Sequence, residues 1–226
     1  MVPTNLDSAP VDVAFSVALK DATQELHDAA ERSPFIGRLL GGELPVDDYA
    51  RFLAQLHDVY EVLEEAAAQL ADDPVAGPFA EPALTRLPSL TADLELLGGA
   101  GWRQRFAPTA ATDALVDHLR ATCFHWPGGF VAHHYVRYLG DLSGGQIIRR
   151  ILERVYGFAD RYPSGPAHAG VRFFVFEHLD NGVQFKKRYR ELLDHAPWDA
   201  AERERVVAEA NTAFRLNTAV FDSLGG

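Results

Sequence analysis

The sequence predicts an all-α fold, a single helical bundle-like domain. Three observations predict it. Apolar residues recur at helical spacing along most of the 226 residues. No segment alternates convincingly with the two-residue period of a strand, and residues 171–176 are the only β-like run. Proline and glycine gather at 73–88 and 162–170, which therefore read as loops.

The elements follow in order. Residues 16–32 read as a first helix, stopped near Ser33-Pro34 because a residue before proline is driven out of the helical region. After Pro45, apolar side chains fall at Tyr49, Phe52, Leu53, Leu56, Val59, Tyr60, Leu63, Ala67 and Leu70, the stripe of a long amphipathic helix. A shorter helix over 89–97 ends at Gly98-Gly99. Helices over 112–124, 127–156, 183–193 and 201–224 complete the set. One domain is expected over residues 1–226, with about 1–14 a flexible N-terminal segment.

Composition narrows the function. The chain is 47% hydrophobic and 23% charged, and long enough to bury an internal pocket. A net charge of −11 argues against nucleic-acid binding. The single cysteine, Cys123, excludes an internal disulfide framework and fits a reducing compartment. The N-terminus lacks the basic-then-apolar pattern of a signal peptide, and no stretch approaches the roughly 18 apolar residues of a membrane span. The expectation is a cytoplasmic protein with no nucleic-acid or membrane partner.

Gly140, Gly144 and Gly145 stand inside a helical stretch. Each interior glycine costs a helix roughly 1 kcal/mol relative to alanine, so the helix should weaken or kink there. Gly140 and Gly144 are four residues apart and share a face, where either a neighbouring helix or a flat group can approach the backbone. Neither a phosphate loop nor a dinucleotide fingerprint fits the spacing. Asp141 lies within this stretch, four residues after Arg137, as an ordinary helical ion pair or as a carboxylate that organises water for proton transfer. His27 precedes Glu31 by four residues, a spacing that suits a ligating histidine with a carboxylate partner. His57 and Glu61 share that spacing, so the pair alone has little specificity. The run Phe185-Lys186-Lys187-Arg188-Tyr189-Arg190 holds two of the three lysines, as a solvated face or an anion site. Glu-x-x-His motifs of a di-iron bundle are absent.

The string Tyr135-Val136-Arg137-Tyr138-Leu139-Gly140-Asp141-Leu142-Ser143-Gly144-Gly145-Gln146 resembles the distal-helix signature of the haem (heme) oxygenases, most nearly the bacterial type. Leu19-Lys20-Asp21-Ala22-Thr23 with His27 and Glu31 resembles the family's proximal helix. Phe185 to Arg190 resembles its propionate clamp, and Ala213-Phe214-Arg215-Leu216-Asn217 its last helix. The resemblance implies a helical fold that holds haem between a proximal helix and a kinked distal one. It implies His27 as axial iron ligand, Glu31 as acceptor for its other nitrogen, and Lys20, Lys186 and Arg190 on the propionates. Tyr135, Gly140, Gly144 and Phe214 would contact haem, and Asp141 and Arg137 would be catalytic. Tyr60 and Asn217 would join a distal polar network, in which Leu115 stands where some animal members have a tyrosine. No C-terminal membrane anchor like that of the animal enzymes is expected.

The implied reaction opens haem b, both cofactor and substrate, to biliverdin, carbon monoxide and ferrous iron. It uses O2 and electrons from an external donor, a ferredoxin or a flavin reductase. Arg149, Arg150, Lys187 and Arg188 are the cations expected to steer an acidic donor. Two other readings are a non-catalytic haem carrier and a thiaminase-like enzyme using Cys123.

Overall fold

A computed structural model describes residues 13–163 and 165–225, so most of the expected N-terminal flexible segment lies outside the described residues. Among them the regular structure is entirely helical.

Helix α1 (Phe15–Glu31) buries Phe15, Leu19 and Thr23, one residue per turn. Ser33 then caps α2 (Pro34–Gly41), its hydroxyl accepting from the Ile36 N–H at 3.3 Å, with Pro34 supplying the preset first turn. Gly42, at φ 70°, ends that helix in the left-handed region and allows the turn into α3. Helix α3 (Val46–Gln69) runs through the core, burying Tyr49, Leu53, Leu56, Tyr60 and Leu63. It packs against α4 (Leu87–Gly98), α6 (Ala110–Cys123) and α7 (Pro127–His134). The short α5 (Trp102–Arg105) links α4 to α6.

A π-helical segment, Tyr135–Leu139, joins α7 to α8 (Gly140–Tyr156). The expected weakness is therefore present but sits just ahead of the glycines; α8 stays α-helical through Gly140, Gly144 and Gly145. Gly157, at φ 58°, closes α8 before α9 (Phe158–Arg161). The β-like run at 171–176 is instead a 3-10 turn, Arg172–Phe174. Its backbone is held by Asp93 of α4, whose carboxylate accepts the Phe173 N–H at 2.8 Å, and no strand among the described residues is there to pair with it. Asn181 caps α10 (Gly182–Asp194), accepting from Val183 at 3.0 Å and Gln184 at 3.1 Å. Asp199 caps α11 (Ala200–Ser223), accepting from Glu202 at 2.8 Å.

Helix α11 packs on α1, α6 and α7. Three polar contacts, Trp126 to Glu202, His133 to Glu209 and Arg137 to Asn217, advance together along both partners, so α11 runs in the same direction as α7 and the π segment. Helix α11 thus contacts both α1 and the π segment that leads into α8. Among the described residues no helix is long and apolar enough to cross a membrane.

Candidate functional site

His27 lies on α1 with its side chain 46% exposed. Its Nδ1 is 3.5 Å from Asp28 Oδ1 and its Nε2 is 3.7 Å from Glu31 Oε1, so a carboxylate stands on each side of the ring. The Phe214 ring of α11 meets it edge-on at 6.0 Å. His57, with the same sequence spacing, is buried, and its Nε2 lies 3.3 Å from Arg103 and 3.4 Å from Thr91. Exposure thus separates two histidines that spacing did not.

On α8, a Cβ built on Gly140 or Gly144 meets nothing within 4 Å. One on Gly145 lies 3.0 Å from Phe174. Gly145 permits close packing, while Gly140 and Gly144 leave a bare helix face toward open space. Such a face is the cradle a flat macrocycle needs, and the accessible imidazole of His27 completes the donor set haem requires. The residues fit the group.

Behind the bare face lies a buried polar chain. Asn217 Oδ1 accepts from Arg137 Nη1 at 3.2 Å, and Asn217 is fixed by its own bond to the Ala213 carbonyl at 2.8 Å. Arg137 Nη2 donates to both oxygens of Asp141, at 3.1 and 3.2 Å. The Tyr60 hydroxyl donates to Asp141 Oδ2. Burial pushes the Asp141 carboxyl above the ordinary value, opposed by Arg137, the Tyr60 hydrogen bond and Arg86. Burial also pushes the Tyr60 phenol well up, so it stays protonated and donates. Arg137 Nε is buried and has no hydrogen-bond partner among the described residues. Leu115 is buried in α6 and offers this chain no hydrogen bond.

The cations divide by helix face. On α10, Phe185 and Tyr189 turn inward. Lys186 donates to the Ser143 hydroxyl at 3.2 Å, tying α10 to α8. Burial raises the Tyr135 phenol, opposed by nearby Thr23 and by Arg190, which is exposed; the Thr23 hydroxyl itself donates to the Leu19 carbonyl at 2.9 Å. Lys20 is exposed on α1. Of the four cations expected to steer a donor, three already face carboxylates: Arg149 meets Glu153, Lys187 meets Glu191, and Arg188 meets Glu81. A cavity of about 510 Å³ beyond α8, lined in part by Leu142, Gln146 and Lys186, flanks the cleft and does not include His27.

Sequence reasoning gave Ser143 no role of its own and missed Arg86 as a member of this neighbourhood. Arg86 sits in a stretch read as loop, yet its guanidinium is buried and donates to the Phe173 and Val175 carbonyls at 3.0 and 2.6 Å. Cys123 has none of the features of a nucleophile: it is fully buried, and burial drives its thiol far above the ordinary value.

The Heme oxygenase family model matches residues 13–223. Heme oxygenase 1 of Synechocystis is 35% identical over 96% of this chain and 87% of its own length. Heme oxygenase 1 of Gallus gallus is 36% identical over 98% of this chain and 73% of its own. The solved structure of the Synechocystis heme oxygenase-1 in complex with heme superposes with a TM-score of 0.85 at 35% identity, covering 94% of this chain and 92% of that one. A heme oxygenase from Leptospira interrogans gives 0.84 at 33%, covering 93% and 99%. A TenA homologue from P. horikoshii shares the fold alone, at TM-score 0.59 and 15% identity. With the family model spanning nearly the whole chain and relatives of this identity covering most of it, this chain belongs to the heme oxygenase family.

Proposed function

We propose that this protein is a haem-degrading oxygenase that binds haem b in the cleft between α1 and α8 and opens it to biliverdin, carbon monoxide and ferrous iron. The observation that carries this reading is the bare Gly140–Gly144 face set beside an Asp141 carboxylate that Arg137 and Tyr60 hold in place. Bound haem supplies both the iron that activates O2 and the meso carbon that is oxidised.

The protein's own groups orient and protonate. His27 gives one ring nitrogen to the iron and leaves the other to a flanking carboxylate, Glu31 or Asp28, which fixes the tautomer. Lys20, Lys186 and Arg190 meet the propionates and so select the edge of the ring presented to the distal helix. Phe214 packs against the His27 ring, and Tyr135, the first residue of the π segment, contacts haem from the α8 side. Gly140 and Gly144 bring backbone close to the haem face and exclude bulky groups there. Asp141 holds water for proton delivery, and Arg137 with Asn217 holds Asp141. Electrons come from an external donor, a ferredoxin or a flavin reductase, and the reaction takes place in the cytoplasm.

The test is the absorption spectrum of the haem-loaded protein through one reductive turnover in air. Loss of the Soret band with appearance of a bile pigment is expected. A Soret band that persists under turnover conditions, or failure to bind haem stoichiometrically, overturns the reading.

A further inference from the structure

We propose that His118, His133 and Glu209 form a second site, one that binds a divalent first-row transition-metal ion. The residues come from three helices, α6, α7 and α11, and one ligand atom of each lies within 4.8 Å of the others. His118 Nε2 and His133 Nε2 converge on the same oxygen, Glu209 Oε1, at 2.6 and 2.8 Å. Two imidazoles and one carboxylate with open positions is a donor set that takes zinc or ferrous iron.

The three ligand atoms lie close together. Each imidazole N–H donates to the carboxylate. An ion would replace both protons at Nε2, moving each imidazole to its Nδ1–H tautomer and leaving the net proton count of the histidines unchanged. Metal–ligand bonds of about 2.0–2.2 Å place ligand atoms about 3.4 Å apart in a tetrahedron. The site must therefore widen by less than an ångström, which the side chains of His118 and Glu209, 32% and 14% exposed, can supply. Their exposure is also the entry path, while His133 at 1% anchors the site. Burial lowers the His133 imidazole below its ordinary value, opposed by Glu209. Burial alone would raise the Glu209 carboxyl, but hydrogen bonds from His133 and His118 outweigh it and hold the group lowered and ionised.

Two other clusters fit less well. His27, Asp28 and Glu31 come from one helix and belong to the cleft already described. His57, Asp58 and Glu61 also come from one helix, and the Arg103 guanidinium 3.3 Å from His57 Nε2 repels a cation. The Arg137 guanidinium, one turn beyond His133, is turned instead to Asn217 and Asp141. An ion at the proposed site clamps the same two helical segments that carry the Arg137–Asn217 contact.

The experiment titrates haem-free full-length protein with Co²⁺, following the ligand-field absorption, and with Zn²⁺, following Tm. Anaerobic Fe²⁺ competing with bound Co²⁺ shows whether the site also takes iron. One ion per chain is expected, with Tm raised by roughly 5–10 °C at about 100-fold excess over Kd. His118→Gln preserves a hydrogen bond to Glu209, and so the fold, but removes a ligand; it should abolish both signals, as should Glu209→Gln. His27→Ala should leave both intact. Absence of binding by the unmutated protein overturns the proposal. So does binding that survives His118→Gln and Glu209→Gln, or that disappears with His27→Ala.

Discussion

Arg137 Nη2 spans both carboxylate oxygens of Asp141, at 3.1 and 3.2 Å, one helical turn apart and with both residues buried. The pair is structural whatever else it does. Removing one member of a buried ion pair costs about 3–5 kcal/mol, because the other is left uncompensated. Asp141→Ala should therefore lower Tm clearly, still bind haem, and make little biliverdin. Asp141→Asn keeps an oxygen for Arg137 and Tyr60, so it should recover most of the stability and part of the turnover. Thermal midpoint and biliverdin yield, measured on the same samples, separate the two effects. Full yield from folded Asp141→Ala would leave Asp141 as an ion-pair partner alone.

His27→Ala should be nearly silent in the haem-free protein and decisive with haem. The side chain is 46% exposed and its carboxylate contacts, at 3.5 and 3.7 Å, are at the surface, so its loss should change stability by no more than about 0.5 kcal/mol. The haem spectrum should lose its nitrogen-ligand signature, and added imidazole should restore it. A spectrum identical to that of the unmutated protein would move the ligand elsewhere.

Much of this was legible in the sequence, for identifiable reasons. The α3 stripe from Tyr49 to Leu63 is long and strictly periodic, so the helix could be read directly. Helices α2, α5 and α9 are too short for periodicity to rise above their Gly and Pro neighbours. The π segment has no compositional signal, because one extra residue in a turn leaves the pattern apolar. Asp141, Arg137 and Asn217 were legible through the Tyr135–Gln146 string and the last-helix match. The clasp of His118 and His133 on Glu209 was not, since its partners lie far apart in sequence and each histidine is one of nine.

Gly144 offers a test in which stability and function move in opposite directions. A Cβ there meets nothing within 4 Å, so Gly144→Ala should stabilise the haem-free protein by up to about 1 kcal/mol through helix propensity. Haem affinity should fall, and fall further in Gly144→Leu, because the added atoms enter the space the macrocycle needs. Gly145→Ala should instead lower Tm, since its Cβ would sit 3.0 Å from Phe174. Unchanged haem affinity in Gly144→Leu would mean that this face of α8 points away from haem.

Lys186 and Arg190 should govern where the ring opens more than whether it opens. Both are on the outward face of α10, and a partly exposed charge contact is worth about 1 kcal/mol or less. The Lys186 contact to Ser143 ties the clamp to the distal helix, so reversing these charges should rotate haem within the cleft. Lys186→Glu with Arg190→Glu should release a mixture of biliverdin isomers, resolved by chromatography. The same isomer composition as the unmutated protein would assign orientation to other contacts.

Asp93 should make stability fall as pH rises through neutrality. Its side chain is fully buried in α4; one oxygen accepts the Phe173 N–H at 2.8 Å, and among the described residues none is within full hydrogen-bond geometry of the other, Oδ1. Burial pushes the carboxyl from 3.8 up to about 7, against the opposing backbone N–H groups of Phe173, Arg172 and Gly170. The folded value lies above the unfolded one, so the fold prefers the protonated form. That contribution is complete below about pH 4 and is lost as pH rises toward and through 7, an effect on the order of 4 kcal/mol at most. Asp93→Asn cannot ionise. It should match the unmutated protein at pH 4 and exceed it in stability at pH 8, the difference growing between those values. Denaturant unfolding of both proteins across that range measures it, and all other titrating groups cancel in the difference. The consequence reaches the cleft, because Asp93 holds the turn whose Phe173 ring packs on Tyr60 at 5.5 Å and whose Phe174 packs on Gly145. Ionisation of Asp93 should loosen that turn, so biliverdin yield at high pH should decline less in Asp93→Asn. A stability difference that stays constant from pH 4 to pH 8 would show that Asp93 is ionised, or protonated, throughout.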